Sequence, residues 1–123
     1  MVRERNTADI TANGGGEGSS TNNALLYSLP TNPTGRELKG KVCKIIIANR
    51  TGADGDILFD DSITIGTALS AVCPLNVRIG SNETVFLNEE DLGEWYITAG
   101  LVAQASNGAT GAGYKVTAEV EVF

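Results

Sequence analysis

From Tyr114 to Phe123 the chain alternates strictly: Tyr114, Val116, Ala118, Val120 and Val122 on one side, Lys115, Thr117, Glu119 and Glu121 on the other. A repeat of two is that of an extended strand, and one apolar face opposite one polar face predicts an antiparallel strand with a wet side. Leu75, Val77 and Ile79 alternate in the same way with Asn76 and Arg78. Lys41–Asn49 (KVCKIIIAN) is β-branched and reads as a central strand. Shorter strands are predicted at Ala24–Leu29, Asp56–Asp60, Ser62–Ile65, Thr84–Leu87, Tyr96–Thr98 and Leu101–Ser106. Between them lie turn signals: TGADGD, with Gly52 and Gly55 available for positive φ, and Gly80-Ser81-Asn82. Helical flavour is confined to NEEDLGEW. There Asn88 can cap a short turn, Glu89, Glu90 and Asp91 suit its first residues, and Gly93 stops it.

Seven or eight short strands, with no helix long enough for a parallel crossover, predict an all-β antiparallel β-sandwich, jelly-roll or immunoglobulin-like. The length of 123 residues suits one domain. Residues 11–23 (TANGGGEGSSTNN) offer almost nothing to bury, which predicts a flexible Gly/Ser/Asn-rich N-terminal arm over 1–23 and a sandwich domain over 24–123.

Charge changes this picture by dividing it. Arg36, Lys39, Lys41, Lys44 and Arg50 cluster against the single acid Glu37, whereas residues 51–123 hold only Arg78 and Lys115 against eleven acids. The overall charge is −6, and a free nucleic-acid binder would instead show a dominant basic face. A basic strip (Arg36, Lys39, Lys41, Lys44) beside an acidic loop (Glu89, Glu90, Asp91, Glu94) suits contact between unlike surfaces, including copies of the chain itself. No apolar run approaches a membrane span, and Met1–Ile10 lacks the apolar stretch of a secretory signal. The expectation is a protein that stays where it is made, or a processed form, with no membrane partner.

Candidate chemistry is sparse. The chain has no histidine, which removes Ser-His-Asp and Cys-His nucleophilic machinery and the commonest general base. Cys43 and Cys73 can pair, but free buried thiols are the first expectation, with Lys44 on the strand face opposite Cys43. Asp54, Asp56, Asp60 and Asp61 are the candidates for a calcium site, although their spacing is not that of an EF-hand, and no cofactor is expected. Trp95 and Tyr96 are a possible sugar platform or, more simply, a core anchor. Asn49-Arg50-Thr51 and Asn82-Glu83-Thr84 match the glycosylation sequon.

The order VCKIIIANRTGADGDILF, PLNVRIGSNETVFLNEEDL, YITAGLVAQAS, YKVTAEVEVF resembles the small β-sandwich virion proteins of tailed phages, decoration or adaptor-like. Residues 62–73 and the N-terminal arm depart from that pattern. The resemblance implies a non-enzymatic structural protein, a capsid decoration or cement protein or a related head or tail component. It would be made in the host cytoplasm and incorporated in the virion, with the major capsid protein, other virion proteins and copies of itself as partners. It also gives the arm a task, since an arm strand can add to a neighbour's sheet edge. The alternatives are a subunit of an extracellular filament or sheath linked by strand donation, and a carbohydrate-binding module using Trp95 and Tyr96.

Overall fold

The computed structural model describes residues 2–10, 23–29, 39–63, 74–105 and 113–122. Its strands are β1 (Val2–Ile10), β2 (Asn23–Ser28), β3 (Gly40–Asn49), β4 (Gly55–Asp60), β5 (Leu75–Ile79), β6 (Thr84–Leu87), β7 (Tyr96–Ile97), β8 (Gly100–Ala105) and β9 (Tyr114–Val122), with one short helix, α1 (Glu89–Leu92). The first sheet has the order β1-β9-β3-β6, with β7 also on β3; the second is β2-β8-β4-β5. All pairings are antiparallel. The all-β sandwich expected from alternation is the observed architecture.

The pairing is nested. β4 pairs β5, β3 pairs β6 and β7, β2 pairs β8, and β1 pairs β9, so the chain behaves as one long hairpin rolled into two layers. β6 covers Ile45–Ala48 of β3 and β7 covers Gly40–Lys41, leaving a gap at Val42–Lys44. α1 packs against β3 there, and the Val42 N–H donates to the Trp95 carbonyl at 3.0 Å. β6, α1 and β7 together therefore serve as a single interrupted edge.

Inward-facing Val42, Ile45, Ile47, Ile57, Phe59, Ile79, Leu101, Val116 and Val120 fill the space between the sheets. β9 buries Tyr114, Val116, Ala118 and Val120, as its alternation predicts. Its polar side is drier than expected, because β1 lies beside it and its arginines cover the glutamates.

That strand corrects the domain division. The segment 1–23 is not arm throughout: Val2–Ile10 pairs β9 along its whole length, from Val2↔Val122 to Ile10↔Tyr114. The physical reason is that β9 offers a backbone edge and the acids Glu119 and Glu121 to a segment of matching length whose Arg5 and Arg3 fall opposite them. Residues 11–22 lie outside the described residues. So does the second half of the expected strand Ser62–Ile65, whose first two residues are not in a strand.

One glycine expectation also changes. Gly52 takes a positive φ of 85°, but Gly55 does not. Gly55 is required because the Tyr114 hydroxyl occupies the place of a side chain. In the Gly80–Glu83 turn, closed by Glu83 N–H donating to Gly80 O at 3.1 Å, the left-handed residue is Asn82 (φ 59°) rather than glycine. At Gly100 a Cβ would collide with the carbonyl of Tyr27 and approach that of Ser62 at 3.0 Å, both backbone. Gly100→Ala is expected to destabilise the domain by about 2–3 kcal/mol, since strand backbones must separate to admit the methyl. Urea denaturation checks this, and an unchanged midpoint would refute it.

Candidate functional site

Across the outer face of the first sheet, side chains from its five strands line up in rows. Arg3, Glu121, Lys41 and Tyr96 form one row; Arg5, Glu119 and Lys44 the next; Thr7, Thr117, Ile46 and Phe86 the third; Asp9, Lys115, Ala48 and Thr84 the fourth. The first two rows alternate in sign from strand to strand. Arg5 donates to Glu119 at 2.7 Å, and Arg3 donates at 3.0 Å to both Glu121 and Glu89. Lys41 lies 3.6 Å from Glu89, so α1 is tied to both β1 and β3. In the third row the Thr7 and Thr117 hydroxyls are 2.9 Å apart. The hydrogen bond from Arg5 is the main reason Glu119 lies below its ordinary pKa.

A β-bulge creates the floor of this region. Val42 opposes Val120 and Lys44 opposes Glu119, which leaves Cys43 as the extra residue of β3. The bulge overturns the simple alternation that put Lys44 and Cys43 on opposite faces. Both line a concavity of about 350 Å³ with Arg3, Glu89, Glu90 and Glu119. Cys43 is a free thiol, 2% exposed, and burial pushes its pKa up, with the Arg3 charge opposing. Its Sγ lies 3.4 Å from the Lys41 carbonyl and 3.9 Å from Glu121. A thiol held protonated beside two acceptors is a poor nucleophile. Arg3 of β1 reaches into this concavity and is held there by Glu89 and Glu121, so the concavity clamps the start of β1.

The expected interaction residues thus divide. Lys41 and Glu89, taken from the basic strip and the acidic loop, meet within one molecule. Lys44 faces Glu119, and Lys39 is exposed just before β3. Glu90 and Glu94 are exposed, while Asp91 serves the helix, accepting from the Asn88 N–H at 3.0 Å in a capping box. Arg36 and Cys73 lie outside the described residues. Arg3 and Arg5 were not among the expected residues, although Arg-x-Arg at one end of the chain matches Glu-x-Glu at the other.

The four aspartates do not come together. Asp54 and Asp56 flank the start of β4 and meet Arg78 at 3.8 and 3.4 Å. Asp60 and Asp61 lie at its other end. Asp61 accepts from Thr98 N (2.8 Å), Thr98 Oγ1 (3.1 Å), Ala99 N (2.9 Å) and Gly100 N (3.2 Å), which leaves little for a cation. No group of three or more acids or cysteines able to hold a metal occurs among the described residues. The calcium candidates are therefore reassigned to turn structure.

Trp95 packs against the core while Tyr96 is exposed on the outer face, so the two rings form no common platform. The sequon at Asn49 is also closed. Asn49 is 2% exposed and its amide donates to Ala53 O, Ile79 O and Gly80 O. Asn82 is exposed.

The inner face of β1 is polar at its start. Glu4 is exposed and Asn6 half-buried, with Ala8 and the buried Ile10 following. Burial first, then the hydrogen bond to Glu4, pushes Tyr27 on β2 up to about 12. β1 is thus held largely by its backbone ladder and its outer ion pairs. Exposed pairs contribute about 0.2–1 kcal/mol each and weaken with salt. Glu119→Gln is expected to speed amide exchange across residues 2–10 about two- to five-fold while leaving β3 protected. Raising salt from ~0.05 to ~0.5 M should act in the same direction on the unmodified chain. Hydrogen-exchange mass spectrometry checks both, and uniform protection would refute the clamp.

No protein-family model and no curated protein sequence matches the chain. Among solved structures, the coat protein of Tobacco streak virus aligns with 94% of this chain and 85% of that chain, at a TM-score of 0.36 and 13% identity. No helix among the described residues is long and apolar enough to cross a membrane.

Proposed function

We propose that the protein is a non-enzymatic structural subunit of a virion, a capsid decoration or cement protein or a related head or tail component, which joins the particle through its sheet edges. The observation that carries this reading is the nested pairing rolled into sheets β1-β9-β3-β6 and β2-β8-β4-β5. A long hairpin rolled on itself is the jelly-roll arrangement, and it favours that member of the two sandwich types left open by alternation. Jelly rolls serve in capsids, lectins and cupins, so the fold alone does not choose among them. Side chains do. Cupin metal chemistry rests on histidines, and this sequence has none. A lectin site needs a ring platform, and Trp95 is turned into the core. The outer face of the first sheet, a charged ladder beside exposed Phe86 and Tyr96, is suited to contact with protein. The resemblance to phage decoration and adaptor proteins points the same way.

Peptide mass spectrometry of gradient-purified particles tests the proposal. The chain should co-purify in a fixed ratio to the major shell protein across the peak. Its absence from the peak, or a trace varying independently of the shell protein, would overturn the reading.

A further inference from the structure

We infer that β1 is an exchangeable strand: in an assembly, residues 2–10 of one copy leave their own β9 and pair with β9 of a second copy in the same register. This inference concerns copies of the chain in any assembly and does not require that the assembly be a virion.

Three observations converge on it. First, β1 is an edge strand that, among the described residues, pairs β9 alone and covers nine residues of it. Removing it uncovers one long backbone edge and leaves the other pairings untouched. Second, what binds it is portable. The outer side is a charge match of Arg3 and Arg5 with Glu121 and Glu119, closed by Thr7 on Thr117. The described inner-side residues are Glu4, exposed, Asn6, half-buried, Ala8, packed against the core, and the fully buried Ile10. Among the described side chains of β1, its departure withdraws Ile10 and the smaller Ala8 from the core and leaves the rest of that cluster in place, which puts β1 toward the low-stability end of the fold. Third, the sequence between Ile10 and Asn23 is long enough. A dozen residues reach up to about 40 Å when extended, more than the length of β1 itself.

Exchange remakes in trans every contact broken in cis, so its balance is set by concentration rather than by new interactions. Dilute chains keep β1 at home, where the linker supplies a high effective concentration. Copies held side by side can trade it. Reciprocal exchange gives a closed pair, and head-to-tail donation gives an open chain of subunits.

The test uses the natural sequence. Chains labelled with ¹⁴N and with ¹⁵N are unfolded together, then refolded and concentrated until sedimentation shows oligomers. Asp9 and Lys115 are opposed in the β1–β9 register and both exposed, so a carbodiimide can join them without a spacer. Exchange predicts Asp9–Lys115 linkages uniting light and heavy chains, approaching about half of the total when exchange is complete. Oligomers in which every such linkage is of one isotope would overturn it, as would a chain that stays monomeric at every concentration. A second measurement uses Thr7→Cys with Thr117→Cys in a Cys43→Ser, Cys73→Ser background. Oxidised oligomers should run as covalent dimers or ladders under denaturing, non-reducing conditions. Monomers with an internal disulfide alone would contradict the exchange.

Discussion

Asn49→Ala is expected to lower stability by about 3 kcal/mol or more, enough to shift the melting temperature by roughly 10 °C or more. Asn49 ends β3, yet its side chain serves two other segments. Nδ2 donates to Ala53 O at 2.8 Å in the turn before β4, and to Ile79 O at 3.2 Å and Gly80 O at 3.1 Å at the end of β5. Oδ1 accepts from Thr51 N at 3.0 Å and from the Thr51 hydroxyl at 2.7 Å. One buried amide thus fastens the two sheets at one end of the sandwich. Alanine would leave several backbone groups without partners in a dry site, each costing about 1–3 kcal/mol where water cannot replace the bond. Asn49→Asp keeps the shape but presents a carboxylate to three carbonyls, and it should be at least as damaging. Thermal melts of the two variants check this, and a loss below about 1 kcal/mol in either would contradict the role.

Asp61→Ala should cost about 2–3 kcal/mol for a related reason at the opposite end of β4. The Asp61 carboxylate collects the backbone N–H groups of Thr98, Ala99 and Gly100 and the Thr98 hydroxyl, the turn by which the chain crosses from β7 in one sheet to β8 in the other. Burial pushes the carboxyl pKa up, but the hydrogen bonds from Ala99, Thr98 and Gly100 outweigh it and hold the group below its ordinary value. The sign of the pH dependence follows. A depressed folded pKa means a contribution fully present above the unfolded value of about 3.9 and lost as pH falls through the folded one. The stability gap between the unmodified chain and Asp61→Asn should therefore be constant near neutrality and close below about pH 3.9. Urea midpoints measured from neutral to acid pH provide the check, and a gap that widens on acidification would refute it.

These two knots also show what alternation and turn chemistry reveal and what they do not. The alternation of β9, the apolar run of β3 and the cap of α1 were legible because local pattern and tertiary role agree: Val116 and Val120 are buried, and Asn88 accepts from the N–H groups of Glu90 and Asp91. β1 was not legible as a strand of the sandwich. Glu4 and Asn6 face inward, so its inner side lacks the apolar repeat, and it is a strand because β9 has an edge to fill. The bulge at Cys43 was hidden for a different reason. KVCKIII alternates acceptably in either frame, and only the pairing of Lys44 with Glu119 shows where a residue is inserted. Asp61 and Asn49 looked like a cation ligand and a sequon because polar residues in turns have the same sequence appearance whether they serve solvent, a ligand or the backbone. At the candidate site the acidic loop and the basic strip were legible as charges. Their pairing within one molecule, through Glu89 to Lys41 and Arg3, depends on the sheet order and on α1 filling the gap beside β3.

That sheet order is also the basis of the central claim, that a rolled two-sheet sandwich with a charged outer face serves as a building block. Cryo-electron microscopy of virus particles purified from the source that makes this chain tests it most directly. The claim predicts a repeated two-layer β density at lattice positions on the particle, into which β3, β9 and α1 fit, with the charged face of the first sheet or a sheet edge against a neighbour. Particles whose density is complete without this chain, while the chain remains free in solution, would contradict it.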